Sequence, residues 1–196
     1  MKSLVFITLL AAITALGASS AFVCLEDTDN ATVVEFTTPE FTLSPQAEGV
    51  RIDLGEDYPP YGDGLPGQPD IPVFSRLVRV PDGASVQVEV EILEEQTLSD
   101  VLLLPCRDLT AVDAGRVEYD FSSDAYLSYE LTPQQSALVS EPGVMREATL
   151  VRLTVQPFRY CAGARELLAA MRMRLTLRYT YDGRTPQPKV TGHTSR

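Results

Sequence analysis

Hydrophobic and polar positions alternate most regularly in the stretch from Arg146 to Tyr181. Leu167, Ala169, Met171, Met173, Leu175, Leu177, Tyr179 and Tyr181 share one parity, and Arg172, Arg174, Thr176, Arg178 and Thr180 the other. Successive strand side chains point to opposite faces, so this pattern predicts one long strand with a buried and a wet face. A helix through ARELLAAM would scatter the three arginines around its cylinder, and helical geometry is kept only for a turn near Arg165. Val151, Leu153 and Val155 against Arg152, Thr154 and Gln156 repeat the alternation. The spacing predicts two antiparallel strands joined by a loop over Pro157 to Gly163, onto which earlier strands add.

Upstream, TVVEFTTPEFTL predicts a strand broken at Pro39 and resumed, and VRIDL (Val50 to Leu54) another. Gly55 to Pro72 is too dense in Gly, Pro and Asp to hold a ladder and reads as a solvated surface loop. Its acids, Glu56, Asp57, Asp63 and Asp70, do not match the spacing of an EF-hand calcium loop. Val73 to Val80 and Ser85 to Leu93 flank the turn signal Pro81-Asp82-Gly83. Val101 to Leu104 is an apolar run, expected to be a buried strand ending at Pro105. Arg107 to Pro133 is irregular and acidic, a long excursion with one short strand over Leu127 to Leu131; such excursions are commonly functional. Ser140 to Gly143 turns the chain into the central strands. The expected fold is all-β, an antiparallel β-sandwich, with a closed β-barrel as the alternative. Arg146, Arg172, Arg174 and Arg178 are expected on the wet face of the sheet, paired with Glu89 and Glu91 across strands.

The N-terminus carries Lys2, an apolar run from Leu4 to Leu16 and small residues at Ala18 to Ala21. This reads as a signal peptide over residues 1–21, cleaved after Ala21 or Ser20, and as export to the periplasm or beyond the cell. The run is too short to span a bilayer comfortably, so no stable membrane insertion is expected after cleavage. About 175 residues then remain, enough for one domain over 22–181 and a polar linker over 182–196. A net charge of −11 argues against sequence-independent nucleic-acid binding, which needs a basic surface. Export permits a disulfide between two of the three cysteines. Cys24 lies near the cleavage point; Cys106 and Cys161 each follow a strand and are the candidate pair, with two unpaired, half-buried thiols as the alternative.

Catalytic chemistry is scarce. The single histidine, His193, sits in the tail and cannot be held as the base of a cysteine or serine hydrolase. No cysteine–histidine spacing suits zinc, no Gly-rich phosphate loop follows a strand, and no cofactor is implied. The chain reads as non-catalytic.

Several short motifs carry a family resemblance. GQPDIPVFSRLVRV (Gly67 to Val80) followed by PDGASVQVEV resembles the opening of the N-terminal propeptide of gingipain-type (family C25) cysteine peptidases. VLLLP (Val101 to Pro105), SEPGVMRE (Ser140 to Glu147), VQPFRY (Val155 to Tyr160) and a final strand at Met171 to Leu175 follow in that family's order. The resemblance covers Pro39 to Tyr181. It implies a β-sandwich prodomain that assists folding and keeps a secreted C25 peptidase latent, in cis or in trans. It also implies a loop, here within Arg107 to Asp124, that enters the active-site cleft and offers a basic residue to the specificity pocket. An ungapped match from Pro105 puts that residue at Val112, which is not basic; Arg116, or Arg107, serves if the loop is shifted. Cys161-Ala162-Gly163 replaces the family's usual Asn-Pro. No peptidase domain follows within the sequence, which therefore reads as a fragment ending near a processing point or as a free-standing prodomain-like protein. The competing reading is a secreted adhesion or glycan-binding sandwich with Tyr58, Tyr61, Tyr119, Tyr126 and Tyr129 as a stacking platform.

Overall fold

The computed structural model describes residues 21–55, 64–107 and 119–181. The expected signal peptide over residues 1–21, apart from Ala21, and the expected linker over 182–196 lie outside them.

One strand organises the molecule. β12 (Glu166–Thr180) pairs along nearly its whole length with β6 (Ser85–Leu98) on one edge. Its other edge is shared by β11 (Phe158–Cys161), which covers Glu166 to Ala169, and β2 (Ala31–Thr37), which covers Arg172 to Arg178. β1 (Phe22–Asp27) adds to β2, and the short β7 (Leu131–Thr132) adds to β11. All these pairings are antiparallel. The predicted parity holds: Leu167, Ala169, Met173, Leu175 and Leu177 have no exposed surface. Met171, only half-buried, and Ala170, buried from the other parity, depart from it, because the register slips between Ala170 and Met173. There Thr38, just past β2, donates its amide to the Met171 carbonyl and its hydroxyl to the Ala170 carbonyl, while the Ala170 amide bonds to Pro157. The irregular residues thus keep their backbone partners. On the wet face Arg174 meets Glu91 at 3.1 Å and Arg178 meets Glu89 at 2.6 Å, as the sequence pattern predicts, and Arg172 stands in register with Glu94; Arg146 instead lies in the other sheet's turn between Met145 and Ala148.

A second sheet faces the first. Its central strand β10 (Ala148–Val155) pairs with β5 (Phe74–Arg79) on one edge and with β8 (Ala137–Val139) and β9 (Gly143–Met145) on the other. Val151, Leu153 and Val155 point inward with no exposed surface. Phe36 of the first sheet and Phe74 of the second meet with ring centroids 5.2 Å apart, joining the two layers. β10 and β12 are therefore not the adjacent pair that their spacing suggested. Pro157 cannot donate to a ladder, so the chain leaves the second sheet there and enters the first as β11, which turns over Ala162 to Arg165 into β12. The arrangement lets both apolar rows bury against each other across the sandwich rather than lie side by side.

The Pro81-Asp82-Gly83 turn likewise carries the chain from β5 in one sheet to β6 in the other. The Thr149 hydroxyl bonds to the Asp82 carboxylate and closes that end of the core. No hydrogen bonds join the sheet edges β6 and β8; a groove of about 640 Å³ separates them, lined by Val88, Val90, Ile92 and Ala137. The molecule is a sandwich, not a barrel. A small ribbon of β3 (Thr42–Pro45) and β4 (Val50–Asp53) completes the described strands. The segment expected as a buried strand at Val101 to Leu104 is buried but bonds through isolated bridges, and the excursion's expected strand is shifted to β7, after a one-turn helix α1 (Ser123–Tyr126).

The strand orientation is testable at adjacent residues. Met173, wholly buried opposite Phe36 and Ile92, should lose several kcal/mol or about that on Met173→Asp, since a lone carboxylate cannot be solvated there. Arg174→Asp should cost about 1 kcal/mol or less, because its ion pair is solvent-exposed. Equal losses in urea unfolding would overturn the assignment of faces.

Candidate functional site

The candidate site is the base from which the Arg107 excursion leaves the sandwich. The apolar run before it is held as a strap. The Val101 amide bonds to the Arg165 carbonyl, Tyr160 donates its hydroxyl to the Val101 carbonyl at 2.7 Å, and Tyr126 donates to the Leu103 carbonyl at 2.8 Å. On one side the strap pairs with Val50 of β4: Val50 donates to Leu102, and Leu104 donates to Val50. Close approach here requires Gly49, whose added Cβ would stand 2.5 Å from the Leu102 carbonyl oxygen. On the other side lies the GQPD segment. Asp70 donates its amide to Leu104, Cys106 to Gln68, and Gly67 to Cys106. Gly67 also accepts from the amide of Ser122, on the returning leg of the excursion. Its positive φ of 82° and the Asp120 carbonyl 3.3 Å from an added Cβ make glycine the fitting residue. Residues 67–70 therefore tie both legs of the excursion to the core.

A polar cluster reinforces this base. Asp70, expected as a solvated loop acid, is instead 4% exposed, with its carboxylate 3.7 Å from the Arg51 guanidinium. Arg51 donates a hydrogen bond to the Tyr119 hydroxyl at 3.1 Å. The Arg107 guanidinium lies over the Tyr119 ring, 5.9 Å from its centroid. Arg107 is thus half-buried and engaged at the base. Arg116 and Val112, the other two inhibitory-loop candidates, lie outside the described residues.

The expected Cys106–Cys161 bridge does not form. Both cysteines are buried and free, and their sulfurs turn to different partners: Cys106 to the Asp70 carboxylate at 3.7 Å and Cys161 to the Tyr129 carbonyl at 3.4 Å. Burial, and then the neighbouring Asp70 charge, push the Cys106 thiol up from 9.0 to about 11. Burial also raises Tyr126 and Tyr160. The tyrosine platform is not formed by the described tyrosines of that set: Tyr119 and Tyr126 spend their hydroxyls on Arg51 and Leu103, and Tyr129 is left with an exposed ring. Tyr58 and Tyr61 lie outside the described residues. Arg51, Asp70 and Tyr119 were missed as a cluster, because they come from three segments that only the fold brings together.

Known proteins resemble this chain in sequence and fold. The C25 propeptide family (Propeptide_C25) matches residues 62–192. Lys-gingipain HG66 of Porphyromonas gingivalis is 26% identical over 127 residues, and Lys-gingipain W83 of the same species matches equally. These alignments cover 61% of this chain but only 7% of the relatives' length. Among solved structures, a chain of the complex of Porphyromonas gingivalis RgpB pro- and mature domains superposes with a TM-score of 0.71 at 18% identity, covering 89% of this chain and 91% of that one. A structure concerned with the zymogenic latency of gingipain K, from the same organism, gives 0.63 at 21% identity, covering 85% and 96%.

The thiol environment predicts alkaline behaviour with a definite sign. Above pH 9 the unfolded chain ionises Cys106 while the folded chain holds its proton, so stability should fall as pH rises from about 9 to 11. Chemical unfolding at pH 7.5 and 10.5 checks this, and Cys106→Ala should flatten part of the fall. In the folded protein iodoacetamide should label exposed Cys24 well before Cys106. A Cys106–Cys161 disulfide found by peptide mapping without reductant would contradict the described geometry.

Proposed function

The chain belongs to the C25 propeptide family, the non-catalytic region of these peptidases, and from that premise we propose that it keeps a C25-type cysteine peptidase latent and assists its folding. The observation that carries this reading is the base described above. Two legs of one excursion leave a rigid sandwich side by side, both bonded to the 67–70 segment. Fixing where both legs leave the sandwich removes part of the ordering that binding in a cleft would otherwise require, and such preorganisation determines affinity as much as buried area does.

Within the excursion, Arg116 is the anchor we assign to the specificity pocket. Val112 carries no charge, and Arg107 is occupied by the Tyr119 ring. A guanidinium offers an acidic pocket bidentate, charge-assisted bonds that lysine cannot reproduce in full. Export through the N-terminal signal is part of the same reading, since latency matters for a peptidase that must cross the cell envelope before it acts. The Ala21 carbonyl accepts the Thr37 amide at the start of the folded ladder, which favours cleavage at Ser20, the cut that retains this bond.

Titrating the activity of the cognate peptidase against the purified domain tests the proposal. Wild type should inhibit reversibly and competitively. Arg116→Ala should weaken inhibition roughly thirtyfold, equivalent to about 2 kcal/mol, with Arg116→Lys between the two. An Arg116→Ala variant as potent as wild type would remove Arg116 from the pocket. A wild-type domain that neither binds nor inhibits the peptidase would remove the latency reading altogether.

A further inference from the structure

We propose that Tyr119 is a positioning residue of this propeptide, locking the two ends of the excursion together through Arg51 and Arg107; the inference rests on the latency reading above. Arg107 stands on the outgoing leg of the excursion, next to Cys106, and Tyr119 on the returning leg, shortly before Ser122. The guanidinium of the one lies on the ring of the other, so the chain closes on itself at its root. The Tyr119 hydroxyl reaches further, to Arg51 on β4, and Arg51 reaches Asp70, whose own amide is bonded to the buried strap. A continuous run of contacts, Asp70 to Arg51 to Tyr119 to Arg107, thus connects the core with both ends of the excursion.

The cluster is separable from folding. The backbone bonds of residues 67–70 to Cys106 and Ser122 hold the legs whether or not the Tyr119 ring is present. Tyr119 is half-buried at the surface and outside the hydrophobic core, so its loss removes no core contact. What the cluster adds is direction: the Arg107 and Tyr119 side chains fix how the two legs depart. It also assigns Arg107 a task different from filling the pocket, which separates it from Arg116.

The experiment uses the purified domain, its cognate C25 peptidase and four variants: Tyr119→Ala, Tyr119→Phe, Arg107→Ala and the double variant Arg107→Ala/Tyr119→Ala. Tyr119→Ala should weaken inhibition about tenfold with a melting temperature within a few degrees of wild type. Tyr119→Phe keeps the ring over Arg107 and loses only the bond to Arg51, so it should recover most of the potency. Arg107→Ala should match Tyr119→Ala, and the double variant should be no worse than either, because the two residues act as one unit. Hydrogen exchange in the free domain should speed up in both alanine variants at the amides of Gly67 and Ser122, whose bonds at the base open more often once the side-chain lock is gone. Tyr119→Ala inhibiting like wild type, or exchange left unchanged, overturns the inference while the latency reading stands. Additive losses from the two alanine substitutions also overturn it, since Arg107 would then contact the peptidase itself. A wild-type domain without inhibitory activity brings down the latency reading and this role with it.

Discussion

The rest of the fold depends on β12 having partners along both edges. A strand buried in the middle of a sheet must place every amide and carbonyl, and β6 alone satisfies one side of it. The other side changes partner partway, from β11 to β2, and the register slip at Ala170 to Met173 is where the change occurs. Thr38 and Pro157 supply the bonds that neither neighbouring strand provides there. Because β2 must end at this point, the chain after it is free to form the β3–β4 ribbon. That ribbon carries Val50 and Arg51, which hold the strap and the base of the excursion. The central irregularity and the candidate site are consequences of the same partner change.

The base of the excursion shows how such a feature is kept rigid without a disulfide. Three segments, around Val50, Gly67 to Asp70 and Val101 to Cys106, exchange backbone bonds in place of a continuous ladder. The Arg51–Asp70 contact, at 3.7 Å, is longer than a hydrogen bond, and desolvation offsets much of its attraction. Its weight lies in specificity: a carboxylate that is 4% exposed has few alternative arrangements, so the guanidinium beside it is held where Tyr119 can meet it. The surface pairs on the other side of the sheet are different. Glu89 and Arg178 hold each other charged across an ordinary pH range, but both are exposed, and they match the strand register more than they stabilise it.

The sequence made some of this legible and not the rest. Alternation in β12 reports which side chains are buried, because period two is enforced wherever one face is dry, and even the Glu89 and Glu91 pairings followed from it. Alternation does not report which sheet a strand joins. β10 and β12 have matching patterns and lie close in sequence, yet Pro157 sends them to opposite layers. Asp70 sits in a Gly- and Pro-rich run whose composition signals exposure, and its burial depends on Leu104 and Arg51, which the run itself does not announce. The cysteine pairing failed for a similar reason: Cys161 ends β11, Cys106 follows the strap and both are buried, but the direction of each sulfur is set by neighbours far away in the chain.

The free thiols suit the proposed exported life of the protein. An oxidising compartment converts thiols through their thiolates, and the rate follows the fraction ionised and the access to it. Cys106 meets neither condition, since it is buried and the Asp70 carboxylate beside it further disfavours a second negative charge. Gly64 stands so close that an added Cβ would lie 2.6 Å from the Cys106 sulfur, leaving little room for a mixed disulfide to form. The acid that seats Arg51 under Tyr119 therefore also adds to the burial that keeps the neighbouring thiol protonated. One buried carboxylate helps hold the base in shape and, beside burial, helps keep Cys106 chemically quiet.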